Sequence, residues 1–224
     1  MINTYNESSL HKTLKELFCP KNGETEEPIL GFICDIVCKN KTVIEIQTGK
    51  LTGLRLKLEK LLPEYKIKIV YPISKNTQVC LLNEDGSKRR IRKSPKHGNF
   101  FQVFREIIGL YHLASHPHLS LTIVYVESEV TKIDDKKGKS RFKNPRIIDR
   151  KLIKIIKTEK FKSLKQMSLT VLKKLPKEFT NKDLKAMGAG PYAAYTSLFF
   201  KKAGLIKPIG KNERFILYSK TSKA

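Results

Sequence analysis

The chain has 224 residues, 40% of them hydrophobic, which is enough to bury the core of one large domain or two small ones. Its 45 Lys and Arg residues outnumber 21 Asp and Glu residues, and the formal net charge of +24 favours a polyanion such as nucleic acid as partner over the alternative of a lysine-rich, AT-rich genome. An anionic membrane surface is the weaker alternative as partner, because no segment approaches the ~20 apolar residues of a membrane span and the N-terminus lacks the apolar region of a signal peptide. We therefore expect a soluble, cytoplasmic protein.

The first predicted element is a helix over residues 6–18, which Asn6 suits as N-cap and Pro20 ends. Four apolar residues at helical spacing form its apolar stripe: Leu10, Leu14, Leu17 and Phe18. Glu7 and His11 are four residues apart, so they are neighbours on the helix surface, near the edge of the stripe. The helix dipole favours an acid in the first turn, which gives Glu7 a purely structural explanation.

A β-hairpin that carries acidic residues follows over residues 31–48, with its turn at Lys39-Asn40-Lys41. Because side chains alternate along a strand, Asp35 lies among apolar residues on one face of the first strand, and Glu45 shares a face of the second with Gln47. A carboxylate in such surroundings needs a cation, a hydrogen-bond donor or open water. Mg²⁺ meets that need, because it prefers one or two carboxylates together with waters and phosphate oxygens. The alternative is a hairpin edge that faces solvent.

Asp35, followed by Glu45-Ile46-Gln47 at the end of the next strand, resembles the motif of the PD-(D/E)xK nuclease superfamily in its variant with Gln in place of Lys. The resemblance implies a Mg²⁺ or Mn²⁺ ion held by Asp35 and Glu45, with the Ile46 backbone carbonyl as a further ligand and Glu7 as a third acid from the first helix. It also implies that Gln47 orients the attacking water, while the metal lowers the pKa of that water and offsets charge on the leaving phosphate.

A glutamine cannot carry the positive charge of the usual lysine, so another side chain must supply a cation near Gln47. Lys50 follows the acidic strand closely and is the candidate catalytic cation, with Lys12 as the other choice. The alternative for Lys50 is an ordinary solvated lysine. The next element is a helix over residues 51–62, which buries its leucines and faces Lys57 and its basic neighbours outward.

Further strands and a helix complete this part of the chain. The pattern predicts strands over 66–71, 77–82, 88–92 and 119–126, and a helix over 99–114. Basic residues here and on the first helix are candidates for contacting the nucleic-acid backbone: Lys12, Arg90, Arg92 and Lys96.

The order of these elements predicts an α/β domain over residues 1–127, with a mixed sheet flanked by helices. The same order resembles the restriction-endonuclease-like core, which runs α-β-β-β-α-β with its acids on the second and third strands. Its opening strand would lie near residues 24–28 or be merged into the long strand after it. A composition rich in Lys, Arg, Gly and Ser predicts a basic linker over 128–147. Residues 148–224 are predicted to be helical, starting with a helix over 149–161.

The last 45 residues have the order helix, turn, helix and two-stranded wing, which resembles a small winged helix-turn-helix domain. Thr180 caps the first helix with Asp183 three residues on, and Pro191 suits the start of the recognition helix. The turn of the wing is predicted at 210–212. Candidates for contacts with the groove and the phosphates are Tyr192, Tyr195, Thr196, Lys201, Lys211 and Arg214. The alternatives are that the two tyrosines pack internally and that the domain contacts protein.

We therefore expect a metal-dependent nuclease that hydrolyses DNA phosphodiester bonds, with the DNA held by the winged helix. One alternative is a DNA-binding regulator or adaptor whose nuclease-like domain is inert, and another is a repressor in which Asp35 and Glu45 are structural parts of a ligand-sensing domain. Cutting both strands of a duplex would favour a homodimer. Four cysteines without a CxxC pair or a matching set of histidines predict reduced thiols rather than a zinc site.

Overall fold

A computed structural model of the chain describes residues 7–137 and 145–224. In chain order its elements are α1 (Ser9–Phe18), β1 (Gly23–Ile29), β2 (Phe32–Cys38), β3 (Thr42–Ile46), a 3₁₀ turn (Leu51–Leu54), α2 (Arg55–Leu61), β4 (Lys66–Leu82), β5 (Lys88–Lys93), α3 (Gln102–Glu106), a second 3₁₀ segment (Ile108–Leu113), β6 (Leu119–Ile133), β7 (Arg146–Phe161), α4 (Leu164–Leu172), β8 (Glu178–Phe179), α5 (Asn181–Leu184), a π-helical segment (Lys185–Ala189), a third 3₁₀ segment (Gly190–Tyr192), α6 (Ala193–Lys202), β9 (Ile206–Asn212) and β10 (Phe215–Lys220).

Within the described residues, seven strands form one mixed sheet in the order β1-β2-β3-β4-β6-β7, with β5 added to β4. The first three strands form an antiparallel meander, and β4 and β6 then join in parallel. Parallel neighbours need a crossover connection, and α2 and α3 lie on those two crossovers. The predicted mixed sheet flanked by helices is confirmed, and a separate strand β1 precedes the acidic hairpin.

Helices cover both faces of the sheet. On one face, α1 buries Leu10 and Leu14 against Ile36 and Ile46. The other face carries the larger core, to which the leucines of α2 and the aromatic residues of α3 contribute. Ser8 caps α1 by accepting a hydrogen bond from the backbone of His11. The predicted cap, Asn6, lies outside the described residues.

The strand β4 uses its two edges differently. One edge pairs with β6 along nearly its whole length, from Ile67 to Leu82. The other edge pairs first with β3, up to Val70 opposite Ile46, and later with β5, from Gln78 onwards. The sheet therefore continues beyond the end of β3 as a projecting four-stranded part, β5-β4-β6-β7.

Two predictions for the middle of the chain are wrong. The predicted linker over 128–147 overlaps β6, which runs to Ile133, and the predicted helix over 149–161 is most of the strand β7. Apolar residues at 152, 155 and 156 fit a helical spacing, but isoleucine favours strands, and pairing with β6 satisfies the backbone of β7. Residues 138–144 of the predicted linker lie outside the described residues.

The C-terminal part has the element order α4-β8-α5-α6-β9-β10, and its strands form a small sheet in the order β8-β10-β9. Thr180 and Asp183 form the predicted capping box. This part packs on α3, the helix beside the main sheet, through aromatic rings: the ring centroids of Phe104 on α3 and Phe200 on α6 are 5.2 Å apart. The turn of the β9-β10 hairpin follows Asn212 rather than lying at 210–212, because β9 continues to Asn212, which pairs with Phe215.

Candidate functional site

The acidic residues of the hairpin meet at the point where β2 and β3 separate. The regular pairing of the two strands ends at Ile36 opposite Ile44. Beyond it, the Asp35 carboxylate accepts a hydrogen bond from the backbone N–H of Ile46 at 2.7 Å, and a carboxylate oxygen of Glu45 lies 3.4 Å from the backbone nitrogen of Asp35. We call Asp35, Glu45 and the Ile46 carbonyl the acidic centre.

His11 from α1 closes the acidic centre on one side. Its Nε2 atom lies 2.7 Å from the Ile46 carbonyl oxygen and 3.3 Å from Asp35 Oδ2, and its Nδ1 atom contacts Glu7. Burial alone would lower the pKa of His11, but the hydrogen bonds to Asp35 and Glu7 outweigh burial and raise the pKa to about 9. The ring is therefore a cation at neutral pH, and both of its N–H groups donate hydrogen bonds: Nδ1–H to Glu7, and Nε2–H to the Ile46 carbonyl and Asp35.

The predicted third acid, Glu7, lies on the far side of the His11 ring from Asp35. Its carboxylate accepts hydrogen bonds from His11 and from Lys15, whose ammonium is 2.9 Å away. Lys15 also binds Glu26 on β1 at 2.7 Å. Burial would raise the pKa of Glu7, but its two cationic partners lower it below the usual value. Glu7 thus acts on the acidic centre through His11.

Lys57 closes the acidic centre on the other side. Its ammonium nitrogen lies 2.6 Å from Glu45 Oε2 and 2.6 Å from the Ile33 carbonyl oxygen, and the residue is only 8% exposed. The prediction that Lys57 faces outward is wrong. The sequence does indicate that Lys57 faces inward, because position 57 lies on the same helical face as Leu54 and Leu61.

The two carboxylates of the acidic centre have opposite pKa shifts. Burial raises the pKa of Glu45 in spite of its contact with Lys57. Burial also acts upward on Asp35, but the hydrogen bonds from His11 and from the Ile46 backbone outweigh it and lower the pKa. The pair therefore combines a firmly ionised carboxylate with one that takes up a proton more readily.

Gln47 and Lys50 lie just beyond the end of β3. The Gln47 side chain donates a hydrogen bond to the Lys50 carbonyl at 3.0 Å, and its backbone N–H pairs with Val70 of β4. The Lys50 side chain is exposed, and within residues 7–137 and 145–224 no salt bridge joins it to a carboxylate. The cationic side chains that contact the acidic centre are therefore His11 and Lys57 rather than Lys50.

The donor set of the acidic centre consists of hard oxygen atoms, two from carboxylates and one from a carbonyl, which is the chemistry that Mg²⁺ and Mn²⁺ prefer. No cluster of three or more His, Cys, Asp and Glu side chains in the described parts of the chain has the arrangement of a metal site. The residues fit such an ion by ligand type, and its charge would replace one that His11 or Lys57 now provides.

The predicted nucleic-acid contacts differ in exposure. Lys12, Arg90, Arg92 and Lys96 are all exposed, as are Lys201, Lys211 and Arg214. On the predicted recognition helix, Tyr195 is 41% exposed, whereas Tyr192 is half-buried below the guanidinium of Arg105. Thr196 is fully buried and donates its hydroxyl to the Tyr192 carbonyl, so its prediction as a contact residue is wrong.

The comparisons with known proteins identify relatives without an assigned activity. The family described as "Domain of unknown function (DUF8091)" matches residues 8–162. A protein of Treponema pallidum (strain Nichols) with the description "Uncharacterized protein" is 45% identical over 219 residues, which cover 98% of this chain and 87% of that relative. No solved structure matches the chain. Across the described residues, no helix has the length and apolar character that crossing a membrane requires.

Proposed function

We propose that this chain, which belongs to the DUF8091 family, is a metal-dependent nuclease that hydrolyses phosphodiester bonds in DNA. The observation that carries the proposal is the convergence of Asp35 Oδ2 and the Ile46 carbonyl oxygen, which both lie within 3.3 Å of one point, now taken by His11 Nε2. A cationic nitrogen between two oxygen atoms marks a position where positive charge is stabilised.

The order of the elements supports the same proposal. A helix, a meander of three antiparallel strands, a second helix and a parallel strand follow one another, with Asp35 on the second strand and Glu45 on the third. The superfamily that the motif resembles has this order and these positions for its acids. The expected opening strand is supplied by β1.

The acidic centre offers distinct roles to its residues. Asp35, Glu45 and the Ile46 carbonyl would hold Mg²⁺ or Mn²⁺, which supplies an acidified water and charge stabilisation at the phosphate. Gln47, at the end of β3, orients the attacking water through its amide. Lys57 supplies the positive charge that Gln47 lacks, and it is a positioning residue because it reaches the site through Glu45. His11 holds Asp35 in place.

The DNA-binding part of the proposal rests on charge and on the C-terminal elements. The formal charge of +24 favours a polyanion. The order α5, turn, α6 and β9-β10 hairpin supports the resemblance to a winged helix-turn-helix domain, and α6 presents Tyr195 and Lys201 to solvent. A helix that exposes a tyrosine and two lysines, with a basic hairpin packed beside it, suits a groove and its flanking phosphates.

The proposal is tested by incubating the purified chain with circular, linear, branched and single-stranded DNA in Mg²⁺, in Mn²⁺ and in a chelator. We expect metal-dependent cleavage that falls at least 100-fold in Asp35→Asn and in Glu45→Gln, with DNA binding retained. Glu64→Gln is the matched control and keeps full activity, because Glu64 is exposed and forms no salt bridge with any residue that the structure describes. Cleavage that survives in both variants would exclude the acidic centre as the active site.

A second candidate function is a DNA-binding regulator whose nuclease-like domain is inert. One observation favours it: Asp35 and Glu45 are already neutralised by His11 and Lys57, so the acidic centre is electrostatically satisfied without a metal ion. Binding of DNA without cleavage of any substrate in either metal would select this function over the nuclease.

A further inference from the structure

The projecting part of the sheet has a cationic groove on one of its faces. We call residues 77–93, 128–137 and 146–154 the arm. Along its strands, Arg92 is paired with Val79, Arg90 with Leu81, and Leu81 with Lys132, so these side chains share one face. They line a concave cavity of about 280 Å³: Val79, Leu81, Arg90, Arg92, Lys132 and Pro145.

The charges of this groove are not neutralised by the arm itself. Among the described residues, Arg90, Arg92 and Lys132 make no salt bridge, and the lining contains no carboxylate. In contrast, the neighbouring Arg89 and Arg146 are paired with Asp134 and Asp135 at 3.2 and 2.7 Å. Asp134 and Asp135 thus neutralise Arg89 and Arg146. The three cations of the groove remain available to bind an external anion.

We propose that this groove binds the sugar-phosphate backbone of double-stranded DNA. The inference rests on the proposed function for its choice of DNA, and it deepens that function by naming duplex as the substrate class. Three cations around an apolar floor attract a row of phosphates, and their contacts carry no base information.

The composition of the arm favours a duplex over a single strand. Proteins that hold single strands stack the bases on aromatic side chains. No aromatic residue lies among the arm residues that the structure describes. The groove is built on paired strands, which hold its three cations at fixed spacing for contacts with phosphates.

The position of the arm connects it with the acidic centre. Both β3 and β5 pair with the same edge of β4, with Ile46 opposite Val70 and Lys93 opposite Gln78. Eight residues of β4 separate these two levels, which corresponds to about 26 Å at ~3.3 Å per residue. That is about eight base pairs of duplex at ~3.4 Å each. The exposed Lys96 lies between these two levels, because the backbone N–H groups of Ser94 and Gly98, on either side of it in the sequence, donate hydrogen bonds to β4.

The test compares the triple variant Arg90→Gln/Arg92→Gln/Lys132→Gln with a control of equal charge change, Lys21→Gln/Lys39→Gln/Lys41→Gln, which alters one exposed lysine just before β1 and two in the β2-β3 turn. Binding of a 30-base-pair duplex, a 30-nucleotide single strand and anionic vesicles is measured without divalent metal over a series of salt concentrations. Because no step depends on cleavage, failure of the nuclease proposal leaves this result interpretable.

We expect the arm variant to bind duplex at least 10-fold more weakly at low salt, with the slope of log K against log salt reduced by about 2 to 3. Single-strand binding should change less than 2-fold, and the control should keep the parent's duplex affinity within 2-fold. An unchanged slope, an equal loss on single strands, a loss confined to vesicles, or an equal loss in the control would each overturn the proposal. Thermal unfolding of both variants at the parent's temperature verifies that the fold is intact.

Discussion

The ammonium of Lys57 on α2 and the carboxylate of Glu45 on β3 form a salt bridge of 2.6 Å in the interior of the protein, where the two residues are 8% and 3% exposed. Removing either charge from water is costly, and each group offsets the cost for the other. The Ile33 carbonyl takes a further hydrogen bond from the same ammonium, which satisfies Lys57 more fully. The pair fixes α2 to the end of the acidic hairpin.

We expect Lys57→Met to lower the free energy of unfolding by about 3–5 kcal/mol, because the buried carboxyl of Glu45 then lacks its cation and must either stay charged in the interior or take up a proton. The measurement is urea denaturation at pH 7, followed by circular dichroism. Lys60→Met, at an exposed position of the same helix, should change stability by less than about 0.5 kcal/mol. Adding Glu45→Gln to Lys57→Met should restore part of the loss, and a double variant no more stable than Lys57→Met would contradict the pairing.

The stability of the chain should depend on pH through His11. The folded pKa of about 9 lies above the ordinary value of 6.5, so the charged ring contributes its full stabilisation below pH 6.5 and loses it as the pH rises through 9. Because the ring is partly exposed, we expect a contribution on the order of 1–2 kcal/mol. In His11→Gln, the fall in unfolding free energy between pH 6.5 and 9 should be smaller by that amount. Lys12→Gln, an exposed neighbour, should keep the parent's profile, and a parent without this fall would refute the assignment.

Part of this site could be predicted from the sequence, because its two acids lie close together in the sequence. Asp35 and Glu45 stand in strands whose alternation is clear, so their meeting follows from one hairpin. Lys57 and His11 reach the acids from two separate helices, and that requires the packing of α1 and α2 on opposite faces of the sheet. A basic residue inside an apolar stripe is the only local sign of such a partner.

The fold shows the same limit at β7. Its isoleucines at 153, 155 and 156 fit a strand and a helix almost equally, because the pairing with β6 is irregular at several points and disturbs the alternation. The partner strand decides between the two, and it lies outside any local window. The capping box of Thr180 and Asp183, in contrast, needs only four consecutive residues and is found as predicted.

Gly98 is expected to tolerate no side chain. A Cβ atom there would lie 2.7 Å from the Ser74 carbonyl oxygen and 2.7 Å from a methyl group of Ile73. Because Gly98 also donates its backbone N–H to that carbonyl, Gly98→Ala should push the segment away from β4 and cost about 1–3 kcal/mol of unfolding free energy. Gly53→Ala, where nothing lies within 4 Å of the new atom, is the control. Equal stability of the two variants by urea denaturation would rule out the close approach.

The helix α6 offers adjacent residues with opposite expected effects on DNA binding. Tyr195 is 41% exposed, so Tyr195→Ala should weaken duplex binding about 3- to 30-fold without a change in stability, as expected for a lost interface contact. Thr196 is buried with its hydroxyl bonded to the Tyr192 carbonyl, so Thr196→Val should lower stability by about 1 kcal/mol and leave binding unchanged. Binding is measured by fluorescence anisotropy well below the melting temperature of both variants. If Tyr195→Ala binds like the parent while a combined variant at Lys201, Lys211 and Arg214 also binds normally, residues 164–220 do not hold the DNA, because these four residues are their exposed candidates for the groove and the phosphates.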